Sequence, residues 1–185
     1  MTTLISSKVS KTDFQLILRR IGAYFVDVTL LMVLMQGAQW GLFVATGGFP
    51  FNQIAAANNG WLIYGWVLLT VSLPIWLYFV LQERTARRAT LGKRLLGVQV
   101  TAVSGQAATT TQLLARTILK LLPWEMFHLA MMLPTPLFAE PNPAFRPGIL
   151  IGWVLFLLFV AMMFRMPRQQ SIHDLIAGTV VEKRP

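Results

Sequence analysis

Arg19-Arg20-Ile21-Gly22-Ala23-Tyr24-Phe25-Val26-Asp27-Val28-Thr29-Leu30-Leu31 opens an apolar run that continues to Val44 with Asp27 as its one charge. A helix through Ile21–Val44 is long enough to cross a bilayer, which needs about 20 apolar residues. It also carries a carboxyl group into the hydrocarbon, at a cost of about 2.5–3.5 kcal/mol on insertion scales unless a partner compensates. The fold must therefore supply Asp27 with partners.

The rest of the chain has the same character. Its 185 residues are 55% hydrophobic and 12% charged, against roughly 25% charged in an ordinary soluble domain. The formal net charge is +9, yet the basic residues flank apolar runs instead of forming one face. That pattern marks membrane orientation and argues against nucleic acid as a partner. With no cysteine, and with His128 and His173 as the two histidines, neither a metal site nor a bound cofactor is expected. The first apolar run follows about twenty polar or mixed residues without a cleavage-site pattern, so it is expected to be retained as a span.

The chain is therefore expected to be an all-α membrane protein with four transmembrane helices, a short cytoplasmic extended segment and a C-terminal turn. The spans are placed at about 21–44, 61–81, 113–133 and 148–164. A cytoplasmic segment 1–19 precedes them, the membrane domain covers 20–181, and 182–185 is a tail. Trp61, Trp66 and Trp76 place aromatic residues toward both ends of the second span, and Pro74 is expected to kink it. The third span carries Arg116, Lys120, Glu125, His128 and Pro123. Charge counting favours its crossing. Lys8, Lys11, Arg19 and Arg20, then Arg84–Arg94, then Arg165, Arg168, Lys183 and Arg184 share one side only if the number of spans is even. The outward loops then hold Arg146 alone, with Arg116 and Lys120 expected to snorkel to the cytoplasmic interface.

Four polar positions compete for a role. Asp27 is either an ion or proton ligand inside the bundle or a hydrogen-bonded packing residue. Glu125 and His128, three residues apart, can meet on one helix face as a proton relay or as a self-satisfied pair. Asp174 follows Ser171 at capping-box spacing, so it either caps a short helix stopped at Gly178 or pairs with the basic loop Arg84–Arg94. Gly37, Gly41 and Ala45 form a small-residue stripe suited to helix packing. In Thr90-Leu91-Gly92-Lys93-Arg94-Leu95-Leu96-Gly97 the Gly-Lys pair lacks the upstream glycine and following Ser/Thr of a phosphate-binding loop. A surface-lying turn followed by an extended Val98–Val103 fits better. No nucleophile, base and orienting group converge, so no enzyme or catalytic residue is expected.

Arg20, Asp27, the Thr90–Gly97 stretch and the ending His173-Asp174-Leu175-Ile176-Ala177-Gly178-Thr179-Val180-Val181 together resemble the RDD family of bacterial membrane proteins. The resemblance spans about Phe14 to Val181, and the arginine and two aspartates that name the family correspond to Arg20, Asp27 and Asp174. It implies a multi-pass protein of the bacterial plasma membrane, with Arg20, Asp27 and Asp174 as a signature and candidate ion or proton site. It also implies transport of an undetermined ligand, with cation/proton antiport proposed for some members. The expected function is transport of a small solute or cation, proton-linked, through a homo-oligomer. The alternative is a scaffold subunit whose basic surface holds a cytoplasmic protein partner or anionic lipid.

Overall fold

The structure is a computed structural model describing residues 11–184. Residues 1–10, and with them the expected cytoplasmic role of Lys8, lie outside the described residues. Helix α1 runs from Lys11 to Ala45, 35 residues, or about 52 Å at 1.5 Å per residue. It thus already includes part of the segment expected to precede the first span. A short α2, Phe51–Ala56, leads to α3, Gly60–Val67, whose first turn is capped by Asn59. A π turn at Leu68–Ser72 joins α3 to α4, Leu73–Arg84. The turn sits immediately before Pro74, which lacks an N–H and crowds the carbonyl four residues back. The expected kink is taken up there as a widened turn.

The remaining elements are α5 (Leu91–Leu95), β1 (Val98–Ala102), α6 (Thr110–Met132), α7 (Pro147–Arg165), α8 (Ile172–Ala177) and β2 (Thr179–Lys183). β1 and β2 pair antiparallel, with Val100 opposite Val181. The expected C-terminal turn is thus a helix plus a strand. Val180 and Val181 leave the helix at Gly178, whose φ of +64° stops it, and find their ladder on a segment far away in sequence. Gly97, at φ +65°, turns the chain into β1 in the same way.

Three helical stretches have the length and composition to cross a membrane: Phe14–Ala45, Gly60–Arg84 and Pro147–Arg165. Helix α6 is long enough at 23 residues, but Arg116, Lys120 and Glu125 keep it outside that set. Apolar side chains such as Val33, Trp40, Leu69, Val154 and Leu157 face outward, while the buried set holds nearly as many polar as apolar residues. Lipid favours the first arrangement and hydrogen bonding the second.

Close packing follows the glycines of α7. A Cβ on Gly148 would press on Ala130, and one on Gly152 on the Phe127 ring and the Pro123 carbonyl. By contrast, Gly37 and Gly41 have nothing within 4 Å of their Cβ positions, so the packing role expected of them finds no partner among the described residues. Arg146 donates to the Ala130 carbonyl at 3.2 Å and to the Leu133 carbonyl, and it pairs with Glu140 at 2.6 Å. It is therefore a C-terminal clasp on α6.

Gly92 carries α5 against α1. A Cβ there would overlap the Ala23 carbonyl oxygen and meet the Asp27 carboxyl. Gly92→Ala is expected to destabilise the protein by about 1–3 kcal/mol through this overlap. The measurement is thermal denaturation in detergent, where an unchanged midpoint would show that α5 need not lie so close.

Candidate functional site

Asp27 is fully buried and its two oxygens accept three hydrogen bonds. Oδ1 receives the Tyr78 hydroxyl at 2.7 Å and the Gly92 N–H at 2.8 Å, and Oδ2 receives the Thr90 hydroxyl at 2.5 Å. Thr90 also caps α5 by accepting from the Lys93 N–H. One carboxyl group thus ties α1 to α4 and to the start of α5. This is the geometry of the hydrogen-bonded packing residue, with every contact made to a donor of the chain itself.

Arg20, two turns earlier, belongs to a different group. Its guanidinium pairs with Asp174 and donates to the Gln169 carbonyl. Asp174 in turn accepts Arg116 Nε at 2.8 Å, and Arg116 holds both oxygens of Glu83 at 2.9 and 3.0 Å. Lys93 completes the chain from the other side of Glu83. The order Lys93–Glu83–Arg116–Asp174–Arg20 joins α5, α4, α6, α8 and α1. Every member is buried.

The structure thus unites two signature residues, Arg20 and Asp174, and leaves Asp27 on its own hydrogen bonds. Asp174 both caps α8, accepting the Ser171 N–H at 3.2 Å, and pairs inward. Its cations are Arg20 and Arg116, not the basic loop Arg84–Arg94. Arg116 and Lys120 do not snorkel outward: at 2% and 9% exposure they point into the bundle, because two carboxylates wait there. Glu83 is the member the sequence reading missed. Its signal was a lone acid at the end of an apolar helix, beside a basic stretch that drew attention away from it.

Removing one partner of a buried ion pair costs about 3–5 kcal/mol, so each link depends on the others. Lys120 is the exception. Its ammonium has no hydrogen-bond partner, lies 4.0 Å from Glu83 Oε1, and sits 3.1 Å from the centre of the Phe79 ring. Both ring nitrogens of His173 also lack a hydrogen bond, with Nε2 3.7 Å from Asp174 Oδ2, and the imidazole packs edge-on against Phe159.

Two cavities lie along the bundle. The larger, about 90 Å³, is walled by Arg20, Lys93, Arg116, Lys120 and His173 on one side and by Phe156, Phe159, Val160 and Met163 of α7 on the other. The smaller, about 20 Å³, is lined by residues including Ser72, Trp124, Glu125 and His128. Tyr24 lines both, and its hydroxyl accepts the Trp124 indole N–H. Around the smaller cavity Glu125 accepts the Tyr64 hydroxyl at 3.2 Å, and His128 Nδ1 lies 3.6 Å from Glu125 and 3.4 Å from Ser72 Oγ. The expected Glu125–His128 pair is thus a cluster of four residues, set against the π turn. Among the described residues no group of three or more His, Asp or Glu side chains is placed to hold a metal ion.

Apolar helices outside, a buried charge network at one end and a polar interior define a multi-pass membrane protein. A family model described as the RDD family matches residues 15–178. The chain belongs to the RDD family. No curated protein and no solved structure matches it.

Outside the spanning helices, burial beside the cations Arg20, Arg116 and Lys120 holds the His173 imidazole down to about 3, overriding the attraction of Asp174. Arg20 and Arg116 hold the Asp174 carboxyl well below its usual range despite burial. His173 therefore stays neutral in the folded chain where an unfolded chain, titrating near 6.5, takes up a proton. Below that value the unfolded state binds more protons, so stability falls as pH falls. The Asp174 contribution is lost only at lower pH, below its unfolded value of 3.8. Between pH 7 and pH 5 the thermal midpoint in detergent is expected to drop, and the drop should shrink in His173→Phe. An equal drop in the variant would place the acid sensitivity elsewhere.

Proposed function

We propose that the protein transports a small solute, with proton linkage, across the bacterial plasma membrane. The observation that carries this reading is a pair of cavities, each bordered on part of its wall by charged or polar side chains, with Tyr24 lining both. A ring that lines two cavities and is held by one hydrogen bond to Trp124 is placed to separate them or, on rotating, to join them. The Tyr64–Glu125–His128–Ser72 cluster supplies the titratable groups. Intramembrane acids of this kind are costly without a function. Asp27 serves the mechanism by fixing α5, and with it Lys93, in the wall of the larger cavity. The proposal gives the protein no catalytic chemistry and no cofactor.

The same reading makes α6 a fourth span. Its charges turn inward to Glu83 and Asp174, and its outer end is clasped by Arg146, so bilayer exposure of those charges is avoided. Both termini and Arg84–Arg94 then lie on the cytoplasmic side. Assembly into a homo-oligomer is part of the proposal, because Gly37 and Gly41 leave a small-residue face on α1 open to a neighbour.

Topology is testable in this cysteine-free chain. A single cysteine at Asn59 is expected to react with an impermeant thiol reagent in intact cells. Cysteines at Ser104 and Glu182 are expected to react only after permeabilisation. Labelling of the Glu182 position from outside would remove the fourth span.

Transport is tested in vesicles containing a pH-sensitive dye, with sodium, potassium or solute gradients imposed. Gradient-driven proton movement above that of protein-free vesicles is expected. Glu125→Gln should slow it about tenfold or more, the equivalent of losing one charged hydrogen bond. Flux in Glu125→Gln equal to that of the parent would take the proton pathway away from this cluster.

A further inference from the structure

The larger cavity has a composition that fits one class of ligand. Four cationic side chains, Arg20, Lys93, Arg116 and Lys120, reach its wall, and no carboxylate does. Glu83 and Asp174 are engaged behind the cations, and Asp27 is turned toward Tyr78, Thr90 and Gly92. Counted with all three acids, the buried group still carries one more cation than anions while His173 is neutral. The least engaged of these cations is Lys120, buried without a hydrogen-bond partner, 4.0 Å from the Glu83 carboxylate and lining the cavity.

A buried ammonium whose N–H donors are unmatched is costly, and an oxyanion seated against it would supply the missing hydrogen bonds. His173, with both ring nitrogens unbonded in the same wall, offers one N–H donor to such an anion. The opposite wall is wholly apolar, formed by the α7 residues Phe156, Phe159, Val160 and Met163 together with Phe25 and Ile21 of α1. Phe25 is 57% exposed on the outer face of the bundle, and Leu157 on α7 is 60% exposed. The space between α1 and α7 therefore leads from the charged pocket to the lipid-facing surface. At about 90 Å³ the pocket holds several waters' worth of volume. That suits a carboxylate or phosphate head but not a whole amphiphile.

We propose that this cavity binds an anionic lipid, with its oxyanion head against Lys120, Arg20 and His173 and its chain lying between α1 and α7. The assignment concerns binding alone and goes beyond the transport reading, so the two stand or fall separately. A fatty acid and an anionic phospholipid share the required chemistry, and the test separates them.

The full-length protein in detergent is mixed with oleate, dioleoylphosphatidylglycerol, dioleoylphosphatidylcholine or inorganic phosphate. Bound lipid is counted by native mass spectrometry, and stability is followed by thermal denaturation. Retention and stabilisation by oleate, by the phosphatidylglycerol, or by both are expected, and the responding arm identifies the head group. Phosphatidylcholine and inorganic phosphate should do neither. Lys120→Met is expected to remain folded without ligand, since Lys120 makes no hydrogen bond and Glu83 keeps Arg116 and Lys93 as its cations. It should bind the responding lipid about thirtyfold more weakly or worse, in line with the loss of one buried charge partner. Phosphatidylcholine binding as well as the anionic lipids would overturn the proposal, as would equal binding by a folded Lys120→Met. Should inorganic phosphate match the lipids, the site would be a plain anion site and the lipid assignment would fall. Lipid binding without flux in vesicles would remove the transport reading and leave this one standing. Flux without lipid binding would do the reverse.

Discussion

Arg116 is the residue on which the packing of the described chain turns. Its guanidinium grips both oxygens of Glu83 on α4 and one oxygen of Asp174 on α8, so it spends its planar fork on two carboxylates at once. A lysine could supply the charge but not the two directions. Once α6 is held this way, Arg20 is drawn to the other oxygen of Asp174 and Lys93 to Glu83 Oε1, which it shares with Arg116. The antiparallel pair β1–β2 then has a fixed base on which to form. In an apolar surround, such a network gives specificity more than stability, because mismatched packing leaves a charge stranded.

Much of this was legible in the amino-acid order, for a physical reason. Long apolar runs, one-sided basic residues and a glycine after each short helix are local signals, and a local signal survives without the fold. The chain's membrane character, the RDD resemblance, the extended segment at Val98 and the stop at Gly178 were all of this kind. Asp27 was noticed because an isolated acid in a span is conspicuous. Its partners were not visible, since Tyr78, Thr90 and Gly92 look ordinary until α5 is folded back over α1.

The illegible part was the pairing across distance. Arg20 and Asp174 stand 154 positions apart, and nothing in either neighbourhood names the other. Arg116 and Lys120 were expected to reach outward because long basic side chains in a span usually find water. They turned inward because Glu83 supplied a closer charge, and Glu83 itself was hidden among its basic neighbours. The second strand was missed similarly. Thr179–Lys183 is too short to declare a strand alone, and it becomes one by meeting Val98–Ala102. The small-residue stripe was read where glycines cluster on α1, but close approach was needed on α7, where α6 presses against it.

The distance in sequence between Asp174 and its two arginines has a consequence for biosynthesis. Arg116 leaves the ribosome 58 residues before the acid that completes its fork, and Arg20 leaves it 154 residues before the same acid. Until then α6 can settle against Glu83 alone, with one arm of its arginine unsatisfied. The early helices are thus committed to the bilayer by greasiness, while the locking of the bundle is deferred until α8 has been made. A chain halted before α8 would sit in the membrane unlatched, with its charges recognisable to quality-control proteases.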